Sequence, residues 1–228
     1  NQEFEIVLLT HSFSSSKFII DSNKQVMIKY FKAFFEIIKS YRFYIFPILI
    51  METIFYLKYE SKFNKFKNLN SENSYDPIPS SFYALKKIEK FILKNEIKTI
   101  CDLGCGYGKI VYYLGVIKKL KVDGVELNES IYQDILFLKN KNIKIFNENI
   151  LQFNLDKKNY DLLIINDPLK KVHDFENLIK KIKNTSHKIF IAMININSEK
   201  VKIATDNLKI IDYNFFSNNR NIIFLKKE

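Results

Sequence analysis

The sequence predicts an α/β protein: a doubly wound, mostly parallel seven-stranded sheet with a terminal antiparallel hairpin, plus an N-terminal helical extension. Three observations carry that prediction. From Ser81 onward, short apolar runs alternate with segments of helical periodicity. The runs are apolar throughout rather than alternating, as in parallel strands covered by helices on both faces. The last two runs are separated only by Ser217 to Arg220, too few residues for a helical crossover, so those strands must be antiparallel.

At 228 residues the chain suits one catalytic-sized domain and an accessory segment. Residues 1–74 form the accessory part. They hold no Gly and only Pro47, and from Lys24 to Tyr41 Met27, Tyr30, Phe31, Phe34, Phe35, Ile38 and Tyr41 recur at helical spacing. Phe43 to Leu57 is the most apolar stretch, but it is too short and too interrupted by Pro47 and Glu52 for a bilayer crossing of roughly 20 residues. It reads either as a helix packed on the main domain or as an interfacial element, with Lys58, Lys62, Lys65 and Lys67 toward lipid phosphates. Peripheral membrane contact through residues 43–67 is therefore one expectation. The polar segment Asn68 to Ser81, with two of the four prolines, sets the domain boundary.

Residues 75–228 form the main domain. Its expected order is helix Ser81–Lys94, strand Thr99–Leu103, helix Lys109–Lys118, strand Val122–Leu127, helix Ser130–Asn140 and strand Ile143–Phe146. Strand Tyr160–Asn166, a helix near Phe175–Ile182, strand Lys188–Ile194, a short helix near Ser198–Asn207, and strands Lys209–Phe216 and Asn221–Leu225 complete it.

A hydrophobic share of 47% with 27% charged residues excludes wholesale disorder or a fibrous repeat. The formal charge of +11 suits an anionic partner. It is spread along the chain, with ten basic and seven acidic residues before position 75 and 26 and 18 after it, so no nucleic-acid footprint stands out. Cys101 and Cys105 are the only cysteines. They support neither a disulfide framework nor a metal site and suit a reducing, cytoplasmic compartment. The chain starts at Asn1, and the run Ile6 to Leu9 is too short for a signal peptide; an upstream segment is expected.

Three of the five glycines fall at 104, 106 and 108, between a predicted strand and a predicted helix. Gly lets a backbone turn at positive φ and approach a ligand closely. The dinucleotide fingerprint needs a glycine where Lys109 stands, and the P-loop needs Ser or Thr where Ile110 stands, so both phosphate readings are weakened. Glu126, about 20 residues past the loop at the end of the next strand, is placed to accept two ribose hydroxyls.

The segment Asp102-Leu-Gly104-Cys105-Gly106-Tyr-Gly108 resembles the first motif of class I, Rossmann-like S-adenosylmethionine-dependent methyltransferases, and Gly124-Val-Glu126-Leu127-Asn128 resembles their second. The resemblance runs from Tyr75 to about Leu225. It implies S-adenosylmethionine as cofactor, held by Asp102, Gly104, Cys105, Gly106, Gly108, Glu126 and Leu127. By alignment of strand ends, Asn149 would receive the adenine amino group with Ile150 beside the ring; a plain turn at Asn149 is the other reading. Tyr75-Asp-Pro-Ile-Pro79 resembles the Tyr-x-Pro segment of a branch that includes membrane-associated protein-lysine methyltransferases, with Tyr75 over the cofactor; a rigid linker is the other reading.

Asn166-Asp167-Pro168-Leu169 resembles in part the Asn-Pro-Pro-aromatic motif of amino-group methyltransferases, with Asp167 for the first proline and Leu169 for the aromatic. The platform for a flipped base is thus missing. Asn166, Asp167 and Pro168 are the catalytic candidates: the Asn166 oxygen would orient an amine and Asp167 would accept its proton. A strand-ending turn is the alternative. His173 and His187 are weaker candidates for a base.

The implied activity is methyl transfer without a metal to an amine, protein lysine or small molecule before nucleic acid. RNA or DNA methylation, and an inactive cofactor-binding module that recruits a partner through its N-terminal helices, are the alternatives.

Overall fold

The computed structural model describes residues 50, 53, 54, 80–217 and 220–228. The chain divides into two compact units, Asn1–Lys58 and Tyr59–Glu228. Of the first, residues 50, 53 and 54 are helical, with Ile50 and Ile54 exposed. The Lys24–Tyr41 helix, the rest of 43–67, Tyr75 and the boundary expected after residue 74 lie outside the described residues. Among the described residues no helix is long and apolar enough to cross a membrane.

The second unit opens with α1, Phe82–Lys94. Ser81 caps it, its Oγ accepting the Ala84 N–H at 3.2 Å. Leu85, Ile88, Phe91 and Ile92 form the buried stripe. Asn95 ends the helix, turning its amide onto the Phe91 carbonyl at 2.9 Å.

Strand β1 is Thr99–Leu103. Helix α2 starts as Lys109–Val111 and continues as a π-helical turn, Tyr112–Ile117, where periodicity predicts one α-helix. Gly115 lies in that turn, and a Cβ there would fall 2.5 Å from the Ile143 side chain, so the turn packs directly on a strand. Strand β2, Lys121–Glu126, leads to α3, Glu129–Ile135, which tightens into a 3-10 turn at Leu136–Leu138 instead of reaching Asn140. Asn140 instead pairs with Ile143 at the head of β3, Ile143–Asn147.

Strand β4 is Leu162–Ile165, shorter than expected at both ends. Before it, the Asp161 carboxylate accepts the N–H groups of Lys98 and Thr99 at 2.9 and 2.8 Å, tying the head of β1. After it, Asn166 and Asp167 leave the strand to form a loop. Helix α4, Val172–Lys183, β5, Ile189–Ile194, α5, Ser198–Asn207, β6, Lys209–Ser217, and β7, Arg220–Lys227, follow.

The sheet order is β3-β2-β1-β4-β5-β7-β6. The pairs among β1 to β5 are parallel, and β7 runs antiparallel to both β5 and β6, the terminal hairpin anticipated from its short loop. Alternate strand residues face opposite sides. Cys101, Leu103, Leu163, Ile165, Ile191, Met193, Ile223 and Leu225 join Phe175, Leu178, Ile179 and Ile182 of α4 in one core. On the other face Phe91 of α1 stacks on Phe224 at 4.1 Å and meets Phe190 edge-on at 5.4 Å.

Strand order reverses between β1 and β4, so the carboxyl ends of these strands border the crevice in which doubly wound folds bind ligands.

Candidate active site

The loop after β1 is built by glycine. Gly104, Gly106 and Gly108 have φ of 78°, 51° and 75°, conformations costly for residues with a Cβ. The Gly104 and Cys105 N–H groups both donate to the Val125 carbonyl at 2.9 Å, docking the loop on the end of β2. A Cβ at Gly104 would lie 2.5 Å from the Pro168 side chain, and one at Gly124 would lie 2.9 Å from the Cys105 sulfur. The loop is therefore packed between β2 and the segment after β4, and Cys105 serves by packing there, 8% exposed.

Glu126 ends β2 nearly buried. Its Oε2 accepts the Gly106 N–H at 2.9 Å and its Oε1 the Asn128 N–H at 2.8 Å. The Leu127 N–H also acts on this carboxylate, and the two oxygens together keep acceptor capacity for a hydroxyl donor. Burial pushes its carboxyl up from the ordinary value, against the backbone N–H bonds. Leu127 follows it, 56% exposed, and Asn147, which sequence reasoning passed over, donates to the Glu126 and Leu127 carbonyls at 3.1 Å.

Asp102 is the most unusual group. It is 1% exposed, and neither carboxylate oxygen has a hydrogen-bond partner among the described residues. Burial, then the neighbouring Glu126 carboxylate, pushes its carboxyl up to about 8. A buried acid left unpaired is costly to the free fold and points to a partner that arrives with the ligand. S-adenosylmethionine carries a sulfonium, an ammonium and ribose hydroxyls, and this site offers an unpartnered acid among the described residues, a glycine loop and a second carboxylate at Glu126. The residues fit that cofactor.

The remaining sequence-predicted residues divide. Asn149 follows β3, but its Oδ1 accepts the Leu151 N–H at 2.9 Å in a local turn, leaving one lone pair for an adenine amino group. Ile150 is buried in the α4-side core. Lys181 of α4, absent from the sequence expectations, donates to the Ile150 and Leu151 carbonyls at 3.2 and 2.9 Å and holds this turn.

Asn166 and Asp167 leave β4 beside Pro168, which rests on Gly104. Asn166 donates through Nδ2 to Ser80 Oγ at 3.0 Å and accepts from Asn195 Nδ2 at 3.1 Å, so it lies in a row of polar groups at the ends of β4 and β5. Asp167 takes a positive φ of 40°, and its Oδ1 is 2.5 Å from the Lys200 ammonium. Burial raises its carboxyl while Lys200 opposes that shift. Ser80, Asn195 and Lys200 carried no sequence signal. His173 lies on α4, its Nε2 3.1 Å from the Asn177 amide. His187, at the head of β5, bonds the Tyr160 carbonyl at 3.2 Å, away from the strand carboxyl ends.

A parallel sheet of order 3-2-1-4-5-7-6 with a reversed seventh strand, a Gly-x-Gly-x-Gly loop after β1 and an acid ending β2 define a class I S-adenosylmethionine-dependent methyltransferase fold. Comparison with known sequences agrees. The model of the family described as Methionine biosynthesis protein MetW matches residues 85–210, and the chain belongs to that family. It is 29% identical over 168 residues to Ribosomal RNA small subunit methyltransferase C of Buchnera aphidicola subsp. Baizongia pistaciae (strain Bp), covering 66% of this chain and 50% of that protein. The chain thus spans about half the length of this curated relative. Among solved structures it resembles PH0226 protein from Pyrococcus horikoshii OT3, with a TM-score of 0.53 and 13% identity over 75% of this chain and 99% of that one. It also resembles the methyltransferase domain of bacterial-CtHen1-CN, with a TM-score of 0.50 and 12% identity over 63% and 97%. At such identities these structures speak for the fold alone.

Proposed function

We propose that this chain transfers the methyl group of S-adenosylmethionine to an amine of a protein or small molecule. The observation that carries the reading is the buried Asp102 carboxylate, without a hydrogen-bond partner among the described residues, beside the glycine loop and Glu126. When bound, the cofactor supplies a methyl group already activated by its sulfonium. Asp102 would balance the incoming positive charge, Glu126 would hold the ribose hydroxyls, and the positive-φ glycines would let the backbone approach. Pro168, which packs on Gly104, would form the wall between cofactor and acceptor. The Asn166 oxygen and the adjoining loop carbonyls would take the N–H bonds of the acceptor and aim its lone pair, so that alignment and exclusion of water provide most of the rate.

A second reading, methylation of an RNA base, is favoured by the ribosomal RNA methyltransferase among the relatives and by the net charge of +11. It predicts binding that weakens steeply with salt.

The test is calorimetric titration with S-adenosylmethionine and S-adenosylhomocysteine, followed by a labelled-methyl screen of protein, RNA and metabolite pools. Micromolar binding that drops about 100-fold in Glu126→Ala, the loss expected when hydrogen bonds to a charged group are removed, supports the cofactor site. Label in protein or small amines supports the first acceptor reading, and label in RNA the second. Binding with no transfer to any pool would make the chain a cofactor-binding module, and no binding to either compound would sink the proposal.

A further inference from the structure

Lys200 is fully buried, at 0% exposure. It sits in the first turn of α5, where a positive side chain opposes the helix dipole, so it does not serve that helix. Burying a lysine is costly unless the charge is paired and hydrogen-bonded, and here both conditions hold. Nζ lies 2.5 Å from Asp167 Oδ1, donates to the Leu169 carbonyl at 2.5 Å, and stands 5.6 Å from the centroid of the Phe175 ring.

The base of this side chain is fixed as firmly as its tip. Asn197 caps α5, its Oδ1 accepting the Lys200 N–H at 2.9 Å. Just before the cap, Asn221 of β7 grips Ile196 through both backbone groups, at 3.2 and 2.6 Å. The cation is therefore anchored to the sheet and reaches across to a loop in which Asp167 holds an unfavourable positive φ. In that loop Pro168 lies between the two residues Lys200 binds, and it is Pro168 that packs on Gly104.

We infer that Lys200 is a positioning residue: it clamps the Asn166–Leu169 loop through Asp167 and the Leu169 carbonyl, and thereby sets Pro168 against the glycine loop. Its role deepens the methyltransferase reading, on which its functional consequence rests. Asp167, engaged by a buried cation, acts in the clamp rather than as the base for the acceptor proton.

The experiment uses the full chain and three variants: Lys200→Met, Asp167→Asn and the double variant. Hydrogen exchange on the cofactor-free protein is read at residues 104–108 and 166–170. Lys200→Met should speed exchange in both loops while β1 and β5 stay protected, and should weaken S-adenosylmethionine binding by about tenfold to 100-fold, as a binding-competent loop populated at only about 1 to 10% does. The double variant separates positioning from stability. Removing both charges relieves the unpaired carboxylate, and Asn tolerates the left-handed conformation, so the melting temperature should recover toward that of the parent. Loop exchange and affinity should not recover, because the Leu169 carbonyl still lacks its donor. If both recover with the melting temperature, or if loop exchange in Lys200→Met matches the parent, the clamp is overturned. Because exchange needs no cofactor, a parent protein that fails to bind S-adenosylmethionine defeats the functional reading while the exchange data still judge the clamp.

Discussion

The two halves of the crevice treat their buried ionisable groups in opposite ways. At the ends of β1 and β2, Asp102 is sealed from water with no hydrogen-bond partner among the described residues, while the backbone around it bends through three glycines. At the ends of β4 and β5, Asn166 bonds Ser80 and Asn195, and Lys200 pairs with Asp167. Among the described residues the first half keeps an acid unpaired, whereas the second has its polar groups already paired. The contrast teaches where the proposed cofactor would add a partner, at Asp102, and where the protein supplies its own, around Asn166 and Asp167.

The contact where the halves touch gives the largest expected effect. Gly104→Val places a side chain onto Pro168 and forces a branched residue into φ of 78°. It should cost about 3 kcal/mol or more of stability in chemical denaturation and abolish cofactor binding. Wild-type affinity in that variant would show that the halves are independent.

Asn166→Ala sharpens the comparison from the other side. It removes the bridge between Ser80 and Asn195 and should slow transfer by about 100-fold in a labelled-methyl assay with cofactor affinity changed by less than about threefold. An equal loss in both would erase the division of labour.

Asp102 provides the pH test. Its carboxyl is raised to about 8 in the fold, against roughly 3.9 for an unfolded chain. Its contribution to stability is therefore full below the unfolded value and is lost as pH rises toward 8. Binding a cation favours the ionised form, so affinity should climb as pH rises from 6 to 8, by up to about tenfold per unit for one proton released. Asp102→Asn should flatten both slopes, read by calorimetry and thermal melts across that range. A wild-type affinity that is level with pH would remove Asp102 from the site.

The smallest effect is expected at Lys181→Met. This half-exposed lysine holds the Ile150–Leu151 turn through two carbonyls, and each such bond is worth about 1 kcal/mol net. Cofactor affinity should weaken by about threefold to tenfold in the same titration, with the acceptor half unmoved. A larger loss would make the turn after β3 as important as the glycine loop.

Glycines 104, 106 and 108, the acid at 126 and the strand limits Thr99–Leu103 were legible in the sequence because each answers a local demand. A positive φ selects glycine, a two-faced strand selects a continuous apolar run, and a tight reversal selects a short loop. The reversed seventh strand was legible for the same reason. What the acceptor half does was not. Lys200 looks in sequence like any lysine on a helix, and its burial depends on Asp167 and Leu169, more than 30 residues earlier. Asn195 and Ser80 meet Asn166 only because β4 and β5 lie side by side and the start of α1 returns over their ends. The π turn in α2 sets Gly115 against Ile143 of β3, a contact that the sequence period of the helix does not announce. The sequence by itself determined which backbone shapes this protein can take, the glycine loop after β1 among them. Only the tertiary structure decided which polar groups face each other, because desolvation and pairing act through space between residues that the chain keeps far apart.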